Sequence, residues 1–278
     1  MTAMQPLRRI AFAVNAAKTG TERFAAELAQ TANACGASAT VCTAYPIPDD
    51  LLMGLDACCT VGGDGTLLSA VPAATRADVP IIGVNQGKLG FLATFSPQEA
   101  REGLKQMIQG FYTVAERDLL ACRNEESQIA TALNDVVIKS MDVRRLISLR
   151  VFCDEEWVTD YSSDGIIFAT PTGSTAYNLS AGGPLVQPGC GVTTMTPICP
   201  HTLTNRSMVF PGSCCLTVEC PETEVLPQVT IDGSQRFEGQ PNFRLHIQRC
   251  DRRLKLLLPR QHPYFSILRT KLKWGGEG

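Results

Sequence analysis

The chain has 278 residues, a length that accommodates one or two domains with a sizeable core. Its formal net charge is −2 and its pI about 6.0, which argues against a basic surface for nucleic acid or anionic membranes. Twelve cysteines occur without a CxxC pair, and the three histidines are widely spaced, so reduced thiols in a cytoplasmic protein are favoured over a zinc site. Residues 1–9 lack the apolar run of a signal peptide, and no apolar run is long enough to predict a membrane span.

The first hundred residues alternate between strand and helix patterns. The predicted elements are a strand at 8–15, a helix at 21–35 capped by Thr21, strands at 37–42 and 57–61, a helix at 66–75, a strand at 80–84 and a helix at 97–108 capped by Ser96. This alternation predicts a parallel sheet that binds ligands at the carboxyl ends of its strands.

After Phe111 the pattern changes to short apolar or alternating runs separated by Gly, Pro, Asn and Asp. The clearest of these runs are 119–123, 130–139, 148–153, 165–170, 208–210, 215–220, 228–231 and 243–249. Such a density of strands predicts a β-rich second domain. A tail after Pro259 has Phe265, Leu268 and Leu272 at helical spacing.

One segment of the second domain, from Asp164 to Pro184, is rich in small and hydroxylated residues and reads DGIIFATPTGSTAYNLSAGGP. It opens as an apolar strand and then becomes a loop, because prolines and glycines interrupt any regular element. Its backbone N–H groups, its hydroxyls and the ring of Tyr177 suit a ligand with phosphates, ribose hydroxyls and a flat base. A surface loop of turn-forming residues is the alternative.

A second segment, Ala57–Thr66, reads ACCTVGGDGT and leads an apolar strand through a glycine turn into a helix. Glycine lets the backbone approach a phosphate, and the N–H groups at a helix start favour an anion. The lysine that ends a P-loop is missing, and Asp64 would repel phosphates unless it binds metal or accepts a proton from the attacking group. A turn aspartate that bonds its own backbone is the alternative for Asp64.

A third segment, Ala132–Ile138, reads ALNDVVI and places Asn134 and Asp135 inside an apolar, strand-like run. A buried carboxylate is costly without a partner, and a ribose diol would be such a partner. A β-bulge or a polar strand end is the alternative.

These segments together resemble the NAD kinase family, in its bacterial type that depends on ATP or polyphosphate. The likeness covers nearly the whole chain. GGDGT alone also occurs in lipid kinases and phosphofructokinase-like proteins, whereas its combination with TPTGSTAY is highly specific. The matching residues are Gly62–Thr66, Gly87–Leu92, Asn134 with Asp135, Thr170–Tyr177, Ser180–Pro184, Pro197–His201, Asp232 with Gly233, and Lys271–Trp274.

The resemblance implies an α/β N-terminal domain with a Rossmann-like parallel sheet, an all-β sandwich C-terminal domain and a C-terminal helix that returns to the first domain. The implied boundaries are 1–111 with the tail 259–278 for the first domain, and 112–258 for the second. The implied reaction transfers the γ-phosphoryl group of ATP to the 2′-hydroxyl of the adenosine ribose of NAD, with Asp64 as general base. Mg²⁺ would arrive with ATP rather than occupy a fixed protein site, and a cytoplasmic homodimer or homotetramer is expected.

The resemblance also implies a set of site residues. For NAD they are Asp64, Gly65, Phe91, Asn134, Asp135, Arg145, Ser162, Asp164, Thr175, Ala176, Tyr177, Asn178, Leu179, Ser180 and Ser234. For the phosphates of ATP they are Gly62, Gly63, Gly65 and Thr66.

Several positions depart from the family pattern or have a simpler interpretation. Ser162 and Ser163 stand where relatives often carry a basic residue, and Ser234 stands where they often carry Gln. Asp135 is one methylene shorter than the Glu that is common there. Arg145 would reach a phosphate of NAD or only solvate the surface. Core packing for Tyr177 and a plain strand start for Asp164 are the structural alternatives.

Three other functions are weighed against NAD phosphorylation. A lipid kinase shares GGDGT, but TPTGSTAY and the Asn-Asp pair argue against it. A hydrolase with Ser174 as nucleophile lacks the G-x-S-x-G elbow and a convincing His partner. A catalytically silent NAD sensor is disfavoured by the intact Asp64. The sequence leaves open whether other nucleoside triphosphates or polyphosphate serve as donors, and whether NADH serves as acceptor.

Overall fold

The computed structural model describes residues 4–16, 18–48, 50–87, 90–93, 95–142, 144–202, 204–221, 225–240, 243–261 and 264–274, with only the backbone of Gln235 and Arg236. The chain divides into two compact units. One contains residues 1–116 and 254–278 and is called the α/β unit; the other contains residues 117–253 and is called the β unit.

In chain order the strands are β1 (Arg9–Val14), β2 (Ser38–Cys42), β3 (Ala57–Gly62), β4 (Ile81–Asn85), β5 (Tyr112–Arg117), β6 (Leu120–Asn124), β7 (Ile129–Ala132), β8 (Asp135–Ser140), β9 (Ile147–Cys153), β10 (Glu156–Ser163), β11 (Gly165–Ala169), β12 (Val192–Ile198), β13 (Met208–Pro211), β14 (Leu216–Cys220), β15 (Pro227–Ile231), β16 (Ser234–Glu238), β17 (Phe243–Arg249) and β18 (Leu254–Pro259). The helices are α1 (Thr21–Ala34), α2 (Asp64–Ala77), α3 (Pro97–Ile108), α4 (Tyr177–Ser180) and α5 (Tyr264–Leu272), with a 3₁₀ turn over Gly173–Thr175.

The α/β unit is built on a sheet with the strand order β2-β1-β3-β4-β18-β5, in which β1 to β4 and β18 pair in parallel. Strands β3 and β4 are buried along their whole length, as expected of parallel strands covered on both faces. The chain runs from β1 to β2 on one side and then to β3 on the other, so the strand order reverses between β1 and β3. Registers Val14↔Val61 and Gly62↔Asn85 place the carboxyl ends of β1, β3 and β4 side by side at this switch point.

The β unit is a sandwich of two antiparallel sheets. Their strand orders are β10-β9-β14-β17-β6-β7 and β13-β12-β11-β8-β15-β16. Side chains from both sheets form one core, in which Val151, Phe168 and Leu245 are fully buried. The predicted combination of an α/β domain with a parallel sheet and an all-β sandwich is confirmed, and the chain ends in the predicted helix.

Two helix starts differ from the prediction. Gly20, with φ 82°, is the N-cap of α1, whereas the Thr21 hydroxyl donates to the carbonyls of Asn15 and Lys18, so the prediction of Thr21 as the cap was wrong. Helix α2 begins at Asp64 instead of Thr66, because Gly63 takes an extended conformation and acts as its N-cap. The prediction of Ser96 as the cap of α3 is confirmed.

The predicted strand at 130–139 is in fact two strands, β7 and β8, separated at Leu133 and Asn134. The side chain of Asp232 accepts backbone N–H groups at this break, which is a long-range contact that local sequence does not show. The predicted strands also omitted β5, β10, β12, β16 and β18, several of which carry polar residues on an exposed face. None of the helices in the described part of the chain is long and apolar enough to cross a bilayer.

Candidate functional site

The glycine turn of the α/β unit lies where β3 ends and α2 begins. Gly62 closes the strand and Gly63 caps the helix, so the backbone N–H groups of the first turn of α2 lie at the carboxyl edge of the sheet. A Cβ on Gly62 would overlap the side chain of Thr66, which explains glycine at that position. The open N–H groups and the helix dipole form a site that favours an anion.

Asp64 is the first residue of α2, and its two carboxylate oxygens differ. Oδ2 accepts the backbone N–H of Phe91 at 2.9 Å, and a Cβ on Gly90 would overlap the carboxyl group. Oδ1 is buried and has no hydrogen-bond partner within the described residues. The carboxylate is therefore held in one orientation by one oxygen, while the other has no donor among the residues that the structure describes.

Lys18 lies in the loop after β1 and was missed by the sequence prediction. Its Nζ atom is 3.4 Å from the position that a Cβ on Gly63 would occupy, so an ammonium group approaches the glycine turn from the neighbouring strand end. The signal was available in principle, because a residue just after the first strand meets the turn after β3 when the sheet reverses its order there. The turn thus has a cation beside it although the P-loop lysine is absent.

Two further polar atoms near the ends of these strands are buried without a partner in the described residues: Thr66 Oγ1 and Gln86 Oε1. Thr66 lies in the first turn of α2, and Gln86 directly follows β4. The Nζ atom of Lys271, in α5, lies 5.8 Å from the ring centre of Phe91. Lys88 and Leu89, which belong to the matching segment Gly87–Leu92, lie outside the described residues.

In the β unit, the chain bends between β7 and β8 around the carboxylate of Asp232. That carboxylate accepts the N–H groups of Leu133 at 2.8 Å, Asn134 at 2.7 Å and Asp135 at 3.2 Å. The N–H of Asp232 in turn donates to the carbonyl of Asp135 at 3.0 Å. The sequence marked Asp232 only as part of a matching dipeptide, whereas the structure shows that it fixes the bend that carries Asn134 and Asp135.

Asp135 is buried, with 5% of its surface exposed. Loss of solvent raises the pKa of its carboxyl to about 7, the nearby negative charge of Asp232 adds to the rise, and an N–H donated by Tyr177 opposes it. Asp135 is therefore the group of this region whose charge changes near neutral pH.

The loop from Thr170 to Pro184 packs directly on this bend. The Thr170 hydroxyl donates to the carbonyl of Leu133 at 2.5 Å, and its N–H donates to the carbonyl of Asn134 at 2.9 Å. A Cβ on Gly173 would overlap the backbone of Asn134. The structure thereby brings Asn134, Asp135 and the Tyr177 end of the loop together, as the sequence predicted for residues of one site.

Tyr177 opens helix α4 and is 36% exposed. Lys139 of β8 donates to its hydroxyl and places its Nζ 4.5 Å from the ring centre, a cation–π contact. Core packing, the alternative for Tyr177, is not what the structure shows. Lys139 is the second cation that the sequence prediction missed, because its position on β8 reveals nothing about a loop almost forty residues later.

Ser174 and Asn178 are fully buried and hold the loop together from within. The Ser174 hydroxyl lies 2.7 Å from the carbonyl of Pro171 and accepts the N–H of Val186 at 3.0 Å. The Asn178 amide donates to the carbonyl of Pro184 at 3.0 Å and accepts the hydroxyl of Thr196 at 2.7 Å. A buried serine committed to backbone partners is not a hydrolase nucleophile, so this alternative loses its support.

The remaining predicted site residues of the β unit lie at strand ends and in turns. Thr175 bonds within the 3₁₀ turn, and Ser162, Asp164 and Ser234 are exposed at strand ends. The Arg145 side chain is 54% exposed and lies 3.9 Å from Asp142 in the turn after β8. Residues of α4 and its start complete the set: Ala176, Leu179 and Ser180. The predicted residues thus form two sets, one in each unit.

Comparison with known proteins identifies the family. The family model of the ATP-NAD kinase N-terminal domain matches residues 5–112, and that of the ATP-NAD kinase C-terminal domain matches residues 133–258. The NAD kinase of Geotalea daltonii is 40% identical over 82% of this chain and 81% of its own length. The NAD kinase of Nitrosomonas europaea is 41% identical over 84% of this chain and 80% of its own.

Two solved structures share the fold. Yeast NADH kinase complexed with NADH superposes with a TM-score of 0.87 at 22% identity and covers 99% of this chain and 89% of its own. An NAD kinase from Archaeoglobus fulgidus in complex with ATP gives a TM-score of 0.80 at 24% identity over 96% of this chain and 100% of its own. With both domain models matched and relatives at 40% identity over most of its length, the chain belongs to the ATP-NAD kinase family and is a phosphotransferase.

Proposed function

We propose that the chain transfers the γ-phosphoryl group of ATP to the 2′-hydroxyl of the adenosine ribose of NAD, giving NADP and ADP, with Asp64 as the general base. The observation that supports this proposal is the carboxylate of Asp64, which has one oxygen fixed by the N–H of Phe91 and the other buried without a partner in the described part of the chain. A hydroxyl group of a substrate would donate to that oxygen. A buried acceptor left without a donor costs about 1–3 kcal/mol, and an incoming O–H would remove that cost.

In this proposal, Asp64 accepts the proton of the ribose hydroxyl late in the reaction. A ribose hydroxyl is a far weaker acid than a carboxylic acid, so the base does not form free alkoxide. It orients the hydroxyl and accepts its proton as the new P–O bond forms and the bond to the ADP oxygen breaks. The fixed orientation of the carboxylate supplies the positioning that phosphoryl transfer depends on.

The donor phosphates would bind at the glycine turn. The backbone N–H groups around Gly62, Gly63 and Gly65 would donate to the phosphate oxygens. The N-terminus of α2 favours negative charge, and the ammonium group of Lys18 adds a positive charge beside Gly63. The hydroxyl of Thr66, buried without a partner in the part of the chain that the structure describes, would be a further donor in the same turn.

A divalent metal would enter this arrangement as a companion of ATP. Asp64 and Thr66 offer hard oxygen atoms, which Mg²⁺ prefers. Mg²⁺ held mainly by donor phosphates and water would neutralise charge on the transferred group.

The β unit would bind NAD. The bend at Asn134 and Asp135 offers an amide and a carboxyl group to a ribose and an adenine edge, and the exposed ring of Tyr177 offers an aromatic face. Gly65, Phe91, Arg145, Ser162, Asp164, Thr175, Ala176, Asn178, Leu179, Ser180 and Ser234 remain proposed contacts of NAD. For Asn178 the contact would be through its backbone, because its side-chain amide is used inside the loop.

One experiment tests the proposal: purified full-length chain is incubated with Mg-ATP and NAD, and NADP is quantified. NADP formation is expected, and Asp64→Asn is expected to lower kcat about 10²- to 10⁴-fold with little change in KM for NAD. Asp78→Asn, at the exposed far end of the same helix, is the matched control and should retain normal turnover. A near-normal kcat in Asp64→Asn contradicts the role of Asp64. Tight NAD binding without turnover would indicate a sensor, and lipid phosphorylation a lipid kinase.

The proposal also covers the oligomeric state of the chain and its location in the cell. A homodimer or homotetramer in the cytoplasm is proposed by the family likeness, and light scattering on the purified chain measures its mass directly. Elution as a monomer at micromolar concentration would contradict this part without touching the proposed reaction.

A further inference from the structure

The β unit brings two thiols and a carboxylate together at the end of β9 and the approach to β14. Cys153 ends β9, Asp154 follows it, and Cys214 lies two residues before the start of β14. Their ligand atoms, two Sγ and one carboxylate oxygen, all lie within 4.8 Å of one another. We call these residues the Cys153 cluster. Spacing in the sequence gives no hint of it, because the two cysteines are about sixty residues apart.

The backbone holds the cluster in place from both sides. Asp154 and Glu155 form a tight hairpin turn between β9 and β10, with φ of 48° and 70°. The N–H of Asp154 donates to the carbonyl of Cys215 at 2.9 Å, and the N–H of Cys215 donates to Asp154 Oδ1 at 2.8 Å. The N–H of Cys214 donates to the carbonyl of Pro211 at 3.1 Å. Both turns are therefore fixed before any ligand arrives.

The surroundings of the thiols favour a cation. The carboxylate of Asp154 offers its oxygen within 4.8 Å of both sulfurs, and Glu156 opens the strand that follows the turn. A divalent cation bound between the two sulfurs would displace their protons to solvent and would be attracted by these negative side chains.

We propose that the Cys153 cluster binds a thiophilic divalent cation of the zinc class, with Cys153, Cys214 and Asp154 as ligands and water in the fourth position. Tetrahedral coordination at about 2.3 Å for Zn–S puts two sulfurs roughly 3.8 Å apart, which the observed spacing accommodates. Asp154 keeps its second oxygen for the metal while the first accepts the N–H of Cys215. Thiolate ligands select zinc, cadmium or cobalt over magnesium, so this site is chemically distinct from the metal that travels with ATP.

Such an ion would connect two turns of one sheet. Strands β9 and β14 are neighbours, with Cys153 opposite Leu216, and the metal would bridge the β9–β10 turn to the residues that lead into β14. Because the ion binds the folded chain only, occupancy raises the stability of the β unit by mass action. Its proposed role is structural and is independent of whether the chain phosphorylates NAD.

The experiment is a titration of the reduced full-length chain with Co²⁺, monitored by sulfur-to-cobalt charge-transfer and tetrahedral ligand-field absorption. The background protein carries Cys190→Ser and Cys199→Ser, which removes the two exposed cysteines. One ion per chain is expected, displaced by Zn²⁺. Cys214→Ser is expected to weaken binding tenfold or more, because even the loss of an outer partner of a metal ligand costs about 10- to 100-fold. The matched control is Cys215→Ser, whose thiol is not in the cluster although it is the next residue.

A second measurement does not require that any variant folds. In the unaltered chain, Zn²⁺ should protect Cys153 and Cys214 from alkylation, read as peptide masses, while Cys190 and Cys199 remain reactive. The proposal is overturned by an unchanged cobalt spectrum in Cys214→Ser, by equal loss in Cys215→Ser, or by no protection at a tenfold excess of zinc. It is equally overturned if the reduced chain takes up no metal and the two thiols are recovered only as a disulfide.

Discussion

Asp64 and Asp135 each have a carboxylate oxygen or side chain shielded from solvent, yet they are placed for opposite tasks. Asp64 stands at a helix N-terminus, keeps one oxygen on the N–H of Phe91, and has the other oxygen buried without a partner among the described residues. Asp135 lies against the negative charge of Asp232 and has its pKa raised to about 7. The first arrangement suits a proton acceptor and the second suits a carboxyl that is half-protonated near neutral pH.

The raised pKa of Asp135 predicts a pH-dependent stability. The folded chain holds the proton more tightly than the unfolded chain, so this stabilisation is complete below about pH 4 and is lost as pH rises through about 7. Asp135→Asn is neutral throughout and keeps an acceptor for the N–H of Tyr177. Its free energy of unfolding relative to wild type should therefore rise between pH 4 and pH 8, by about 4 kcal/mol at most from the shift between 3.8 and about 7.

Urea unfolding at pH 5 and pH 8 measures this difference. Asp160→Asn is the informative control: Arg150 lowers the pKa of Asp160, so this carboxyl is ionised at both pH values and its difference from wild type should stay constant. A difference between Asp135→Asn and wild type that stays constant with pH would contradict a raised pKa at Asp135.

Lys18 gives a separate prediction for the donor. Removing its charge with Lys18→Gln should raise KM for ATP about 10- to 100-fold, the range for a lost charge-assisted hydrogen bond, and leave KM for NAD unchanged. Initial rates at varied ATP and fixed saturating NAD measure it. Lys105→Gln on the exposed face of α3 is the control, and an equal effect there would show that only net charge matters.

At the scale of single residues, the sequence indicated the residues with a distinctive local motif and missed those that act across the fold. Asp64, Asn134 and Asp135 stand out because a polar residue interrupts an apolar run. Lys18 and Lys139 have no such signal, since an isolated lysine in a loop or on a strand is ordinary. The carboxylate of Asp232 acts almost a hundred residues from its partners, and only pairing of β8 with β15 reveals its role.

Among the elements, the loop from Thr170 to Pro184 is the one whose shape depends on buried polar pairs. Its short helix α4 is too brief to be stable alone, and Asn178 joins it to β12 through Thr196. The loop that the sequence indicated as nucleotide-binding is therefore stabilised by a framework of its own buried side chains. Ser174 and Asn178 supply that framework, while Tyr177 remains exposed.

Thr196→Val tests this framework. The substitution keeps the volume but removes the shorter of the two hydroxyl donors to the amide oxygen of Asn178, leaving that of Thr194 at 3.4 Å, at a cost of about 0.5–1.5 kcal/mol. A lower Tm and a higher KM for NAD are expected, with KM for ATP unchanged. Thr159→Val on the exposed strand β10 is the control. Normal NAD affinity in Thr196→Val would mean that the loop does not depend on this bond.

Element boundaries were predicted best where local chemistry sets them. The Ser96 cap is followed by Glu99, which accepts both the N–H and the hydroxyl of Ser96, and the start of α3 was predicted correctly. Boundaries set by distant contacts were not, as at the break between β7 and β8. Strand β10 was missed because its exposed face carries polar residues and no apolar run marks it.

At the scale of the whole molecule, we propose that the α/β unit binds the phosphates of the donor and that the β unit binds NAD. The groups that bind the phosphates determine which nucleoside triphosphates can serve as donors. The described groups at the glycine turn are backbone N–H groups, a hydroxyl and Lys18, and such groups bind phosphates without sensing a base. GTP and CTP should therefore support turnover with kcat/KM within about tenfold of ATP. NADP formation with each triphosphate at equal concentration measures this, and strict dependence on ATP would contradict a donor site made only of phosphate contacts.

Strand β18 has one more consequence. It is inserted between β4 and β5 in the sheet of the α/β unit, yet it is made after the whole β unit. During synthesis on the ribosome, the sandwich can complete its core while the earlier sheet still lacks an internal strand. A premature stop codon just before Leu254 would thus spare every strand of the sandwich but leave the sheet of the α/β unit without an internal strand, and this sheet open to proteases. The early strands of that sheet therefore depend on a strand that is synthesised only after the whole sandwich.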